Sequence, residues 1–369
     1  FLALSWFCCL SLDLVLYINN NADCPNPNGS RDCPYNAFSQ ALTRNISSKV
    51  NSDNITVIFS SSATSYDISF EGSNISAIYN LSFASDVTSQ LRDFGDCLQL
   101  PMIRWSSGLL SYKLNTLRLK VTSLNFGFQS PGKNTGFAFD IMNGAIISIQ
   151  NSCVYDENQG FQNPIGVINA HQSLDFSVDS LFIHLKGSQP LSKTFNVFSA
   201  SCSGMAESPC VLHLSNIYLT GTEVRPDSSF PESIFSLRHI TNVRANNLFI
   251  SNFSNSADFT YISMQEVNTV DIEDVNLAQV SCDSTVSCIF LAISNSDSDL
   301  KLKIQNLNIS DSSLSQIITL SAPIDSLVMN NVNIVNLQTR MAILDLALLT
   351  ASQPNISEII PLKINELSI

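Results

Sequence analysis

Leu302-Lys303-Ile304-Gln305-Asn306-Leu307-Asn308-Ile309 alternates apolar and polar side chains on both sides of Asn306, and the phase slips by one at that residue. A straight strand would turn Leu307 and Ile309 to the face opposite Leu302 and Ile304, because strand side chains alternate with period 2. A bend at Asn306 returns them to the same interior. Asparagine suits such a bend, since its short amide bonds locally and tolerates left-handed backbone angles. The same shape recurs outward from this stretch. It spans Leu212 to Leu219 about Asn216, Val243 to Ile250 about Asn247, and Val270 to Leu277 about Asp274. It returns from Leu327 to Ile334 about Asn331 and from Leu362 to Ile369 about Glu366. Looser copies turn at Ser123, Asn151 and Ser180. Corners follow one another every ~25 to 36 residues, a period that marks stacked repeats, none able to bury its apolar face alone.

A further apolar run precedes each motif, as in Phe137 to Phe139, Ile165 to Val167, Phe259 to Tyr261, Ile289 to Leu291 and Ile343 to Leu346. Three short strands per turn predict an all-β chain, a right-handed parallel β-helix. A leucine-rich solenoid fits less well, because its asparagine falls three residues after the last leucine and its period is shorter. No unit carries a sustained 3.6-residue pattern, which excludes helical repeats. The stacked corners Asn151, Asn216, Asn247, Asp274, Asn306 and Asn331 are expected to hydrogen-bond up the stack as a ladder.

Composition agrees: 44% of the 369 residues are hydrophobic and only 13% charged. Because the repeat crosses every midpoint, the chain reads as one elongated domain, with 13–70 as cap and opening coil and 71–369 as coils. Residues 1–12 are apolar and uncharged and read as the core of a signal peptide, the alternative being a buried first strand. No later stretch is long and apolar enough to span a bilayer as a helix. The chain stops on a complete motif with no cap. Either the solenoid continues in a longer protein, or its end stacks head to tail on another copy.

Setting aside Cys8 and Cys9, eight cysteines remain, an even number that fits an exported, disulfide-bonded chain. Cys24 with Cys33, Cys202 with Cys210 and Cys282 with Cys288 bracket loop-like stretches, and Cys97 with Cys153 is left to bridge neighbouring coils. No Cys-x-x-Cys or nearby histidine supports zinc instead. Asn-x-Ser/Thr sequons stand at Asn28, Asn45, Asn54, Asn74, Asn80, Asn252, Asn308 and Asn355. A chain this rich in Asn, Ser and Thr holds about as many by chance, so their number does not argue for glycosylation. In a secreted eukaryotic chain several would nonetheless be used.

Tyr17 to Asn21, then Asn28-Gly29-Ser30 through Cys33-Pro34 to Leu42, then Ile55 to Phe59 and Tyr66 to Ile68, resembles the opening of pectin-lyase-like β-helix proteins. The resemblance implies a first strand, a Gly-Ser and proline loop, a capping helix over 36–49 and a strand that opens the stack. It extends along the chain through the coils at the level of fold alone. The superfamily holds lyases and hydrolases of pectin as well as tailspikes, adhesins and surface proteins.

The chemistry of its enzymes is not visible. The aspartate motifs of polygalacturonases are missing, and no carboxylate set with a basic partner suggests a calcium-assisted lyase. The nearest carboxylate pairs are Asp271 with Glu273 on one strand face and Asp297 with Asp299 in a turn, both expected to be solvated. His171, His184, His213 and His239 stand singly and read as outward polar residues. Trp105 reads as a loop anchor more readily than a sugar platform. Serine is too frequent to argue a triad, and no glycine-rich phosphate loop occurs. A net charge of −13 repels nucleic acid and anionic polysaccharide, and leaves neutral glycans, calcium or another copy as partners. No cofactor is expected. The reading is a secreted, non-catalytic surface, adhesive or fibre-forming β-helix. The alternatives are a carbohydrate-active enzyme or a polysaccharide-binding module.

Overall fold

From Ser123 to Asn331 each corner residue holds a left-handed backbone: φ is 55° at Ser123, 49° at Asn151, 56° at Ser180, 54° at Asn216, 55° at Asn247, 55° at Asp274, 54° at Asn306 and 55° at Asn331. The structure is a computed structural model. It describes residues 13–41, 44, 54–62, 65–68, 80–105, 110–112, 118–127, 137–142, 146–155, 166–171, 175–186, 196–202, 210–224, 232–255, 258–283, 286–296, 299–339, 344–346 and 362–368.

The two alternations of a unit are not separate strands, as the sequence suggested. They run as one strand bent at its corner, 10 residues in Ile146–Tyr155 and 16 in Ile324–Thr339. At the corner a single residue leaves the ladder: Ser215 pairs with Asn246 and Ile217 with Leu248, on either side of Asn216 and Asn247. Pairing therefore continues through the bend.

Twelve strands follow one another in parallel along this path, from Asp13–Ile18 through Asn54–Phe59 and Asn80–Ser85 to Leu362–Ser368. A second parallel sheet of nine strands closes the other side of the coils from Leu110–Tyr112 onward, among them Phe137–Met142, Gly166–His171, Phe259–Gln265, Cys288–Ser294 and Leu344–Leu346. These are the runs that precede each motif. The result is a parallel β-solenoid.

The bend does what the phase slip requires. Leu302, Ile304, Leu307 and Ile309, on both arms of one unit, are all exposed by 1% or less. Each such side chain contributes about 1.5–3 kcal/mol when fully buried, which offsets the ~1–2 kcal/mol of a left-handed residue several times over.

Buried hydroxyls and amides satisfy the backbone groups that the bends free. Ser152 donates to the Gln150 carbonyl at 2.8 Å, and Ser312 donates to that of Ser310 at 2.7 Å. Ser312 also accepts from the Val280 amide of the coil before, at 3.2 Å. Asn295, 2% exposed, accepts from Val267 N–H at 2.9 Å and donates to Val267 C=O at 2.6 Å. Ser312 and Asn295 thus hydrogen-bond between coils, as burial demands.

Of the helix expected over 36–49, Phe38–Ala41 is helical among the described residues, and most of the remainder of that span lies outside them. Phe38, 1% exposed, lays its ring against Phe59 at 6.3 Å and Phe83 at 6.1 Å. The preceding loop pairs with the first strand: Tyr17 N–H donates to Gly29 C=O at 2.8 Å, and Tyr35 N–H donates to Tyr17 C=O at 2.9 Å. Gly29 is required there, since its φ is 82° and a β-carbon would meet the Tyr35 ring at 2.5 Å.

Candidate functional site

The two outward faces beside the corner differ in chemistry. On the first arm, Arg244, Asp271 and Lys303 stand in register, with Asn246, Glu273 and Gln305 beside them. Lys303 Nζ lies 3.4 Å from Asp271 and 3.3 Å from Glu273. The carboxylate pair singled out in the sequence is therefore one ion-paired group. Asp299 is exposed in its turn, and Asp297 lies outside the described residues.

On the second arm one column runs Cys153, Phe182, Tyr218, Phe249, Asn276, Asn308, Asn333, and the next runs Thr220, Ser251, Ala278, Ser310, Val335. From Tyr218 and Thr220 onward neither column holds a charged residue.

An insert between Asn80–Ser85 and Met102–Trp105 covers the N-terminal end of this face. Leu91, Cys97 and Leu100 pack with Cys153 and Phe182 in a small second core, and Val87, Phe94 and Tyr218 lie against it. Cys97 bonds to Cys153 with their Cα atoms 5.9 Å apart, so this bridge pins the insert to the coil face. The corner residue Asn151 clasps the same insert: its Oδ1 accepts from Leu91 N–H at 2.6 Å and its Nδ2 donates to Ser89 C=O at 2.9 Å. Arg92 holds Asp96 at 3.3 Å within the insert, a hydrogen bond that draws the Asp96 carboxyl below its ordinary pKa.

The aromatics leaving the insert stack along the axis. Phe182 and Tyr218 are 4.5 Å apart at 10°, and Tyr218 and Phe249 are 5.1 Å apart at 5°. Stacking consumes the ring faces and leaves edges toward solvent, except at Phe249, whose far neighbour is an asparagine. Tyr218 and Phe249 are half-buried, while Asn276, Asn308 and Asn333 are exposed.

The corner ladder is real but interrupted. Asn331 Nδ2 donates to Asn306 at 2.8 Å and Asn306 to Asp274 at 2.8 Å. Asn247 donates to Asn216 at 3.0 Å and Asn216 to Asp179 at 2.8 Å. Each segment ends on a carboxylate, which has no proton to pass on, and Asn151 reaches Ser123 Oγ at 2.9 Å as a separate pair.

A second row of left-handed corners went unread in the sequence: Asn252, Gln279, Asp311 and Asn336, with φ of 50°, 54°, 46° and 52°. Each stands five residues after a first corner, and Asn336 donates to Asp311 at 2.9 Å. The constant offset was the available signal; the mixed residue types hid it.

The other sequence candidates stay apart. Cys24 pairs with Cys33, Cys202 with Cys210 and Cys282 with Cys288, at Cα separations of 5.6, 6.3 and 6.2 Å. His171 contacts Asn169 at 2.6 Å, the His184 ring meets Phe94 at 6.0 Å, and His213 and His239 are exposed. Trp105 ends a strand, and its side chain lies outside the described residues.

Among the sequons, Asn28, Asn252 and Asn308 are exposed. Asn54 and Asn80 are half-buried in a ladder of their own, in which Asn80 donates to Asn54 and Asn54 to Asp13. Asn45, Asn74 and Asn355 lie outside the described residues.

Among the described residues no three His, Cys, Asp or Glu side chains cluster to hold a metal, and no helix is long and apolar enough to cross a membrane. Compared with protein-family profiles, curated proteins and solved structures, the chain matches none.

Proposed function

We propose that this chain is a secreted, disulfide-stapled rod of the pectin-lyase-like type that presents loops and glycans at fixed spacing and has no catalysis of its own. The observation that carries the reading is where its carboxylates go. Asp271 and Glu273 share Lys303, while Asp179, Asp274 and Asp311 accept corner amides from neighbouring coils. A glycosidase or lyase needs carboxylates that converge on a groove and are available to protons, water or calcium. These five are committed to holding the stack.

Rigidity supplies the working principle. Parallel ladders fix each coil on the next at about 4.8 Å, so twelve strands set a length of about 50 Å along the axis. Four cysteine pairs hold loops and insert to that frame. Bonds of this kind persist in oxidising compartments, which supports placement outside the cell or at its surface. The resemblance of residues 17–68 to the opening of pectin-lyase-like proteins supports the affiliation.

The test is incubation of the secreted chain with a panel of neutral and acidic polysaccharides, with and without calcium. No new reducing ends and no unsaturated uronates are expected. Turnover of any polysaccharide, lost on substitution of an Asp or Glu, would overturn the reading.

A further inference from the structure

We infer that the uncharged face of the second arm is the bed of an N-linked glycan carried by Asn308 of the same chain. The inference rests on the reading of the protein as a secreted glycoprotein.

Asn308 and Ser310, the two polar residues of its sequon, both face outward, while Ile309 between them is 1% exposed. The Asn308 amide is exposed and takes no part in the corner ladder one position away, which runs from Asn331 through Asn306 to Asp274. Asn54 and Asn80 differ: their amides are spent on Asp13 and on each other, half-buried between strands. A sugar on either would have to part that ladder.

The floor beside Asn308 suits a neutral sugar. Asn276 and Phe249 continue its column toward the N-terminal end, and Ala278, Ser251 and Thr220 line the next column. Apart from the Phe249 ring these side chains are small or amide-bearing, and none is charged. A glycan that covers them therefore strips no ion of water, which would be the costly step. Phe249 closes the aromatic stack, with one ring face not covered by another ring among the described residues, at two strand steps, about 10 Å, from Asn308. The first two sugars of an N-linked glycan can bridge that distance. Their apolar C–H faces would lie against the half-buried ring and their hydroxyls against the Asn276 amide. The first-arm face, with Arg244, Asp271, Glu273 and Lys303, offers no such floor.

The test uses the whole chain secreted from a glycosylating host. Glycopeptide mapping should find a glycan at Asn308. An endoglycosidase acting on the native protein should release it at least tenfold more slowly than the glycans at Asn28 or Asn252. Phe249→Ser should abolish that protection and leave occupancy unchanged. Ser310→Ala, which removes the glycan and leaves Phe249, Asn276, Ala278, Ser251 and Thr220 in place, should lower the melting temperature and raise the exposure of Tyr218 to solvent quenchers. Equal release rates in the folded protein, unaltered by Phe249→Ser, would overturn the inference. So would an unmodified Asn308 beside an occupied Asn28 or Asn252, and in that case the secretory reading would stand. Sugar-free sequons together with free thiols would remove both. Dimerisation or binding of a free oligosaccharide that Phe249→Ser abolishes, with Asn308 unmodified, would give the face to another occupant.

Discussion

The Nδ2 of Asn306 donates to the carboxylate of Asp274 at 2.8 Å, and both residues hold left-handed backbones, with φ of 54° and 55°. One side chain thus tolerates the bend and ties it to the coil before. The two roles separate by substitution. Asn306→Gly keeps the bend and loses two ladder bonds, at an expected cost of about 1–2 kcal/mol. Asn306→Val adds the strain of a β-branched residue in that region and should cost about 3 kcal/mol or more. Denaturant unfolding checks the order; equal costs would mean that the bend is not confined to this residue.

Asp274 divides the ladder, because its carboxylate accepts from Asn306 and offers Asn247 nothing. Asp274→Asn would join the two segments through a new amide donor and should stabilise the chain by about 0.5–1.5 kcal/mol. The readout is the denaturation midpoint at neutral pH, and a loss of stability would show that the charged acceptor outweighs ladder continuity.

How much of this was legible depends on the residue. The phase slip at Asn216, Asn247 or Asn306 announced the bend, because strand period 2 leaves no other way to bury both arms. The second corner was illegible, since Asn252, Gln279, Asp311 and Asn336 share an offset but no type. The pairing of Cys97 with Cys153 could be reached by elimination, while its purpose could not. Nothing local marks residues 86–100 as an insert lying over Phe182 and Tyr218. The uncharged face was hidden for a related reason: its residues lie about 30 apart in sequence and meet only through the register of the coils.

Tyr261 is 2% exposed, and among the described residues its hydroxyl has no hydrogen-bond partner. An unsatisfied buried hydroxyl costs about 1–3 kcal/mol, so Tyr261→Phe should stabilise the protein by roughly 1–2 kcal/mol. Thermal unfolding measures it directly. Destabilisation would reveal a partner for the hydroxyl in solution.

Tyr66 donates to the carbonyls of Ser60 at 2.7 Å and Ile18 at 3.2 Å, and burial pushes its phenol up to about 12. Burial moves the Tyr261 phenol well up too. A raised folded pKa means that the native state keeps a proton the unfolded chain gives up. The stability is therefore complete below pH ~10, where an unfolded tyrosine titrates. For Tyr66 it is lost as pH rises from there through about 12. Unfolding midpoints should stay flat with respect to these two groups up to pH ~10 and fall above it. Tyr66→Phe should reduce the slope while lowering stability at neutral pH through the lost hydrogen bond to Ser60. An unchanged slope would contradict the assignment.

The most direct test of a stacked, exported solenoid is disulfide mapping of the secreted chain by mass spectrometry of non-reduced peptides. The account predicts four bonds, Cys24–Cys33, Cys97–Cys153, Cys202–Cys210 and Cys282–Cys288. The second is the decisive one, because its cysteines are 56 residues apart and meet only if the insert lies across the coil that holds Asn151. Free thiols at these positions, or Cys97 joined to any other cysteine, would contradict the account.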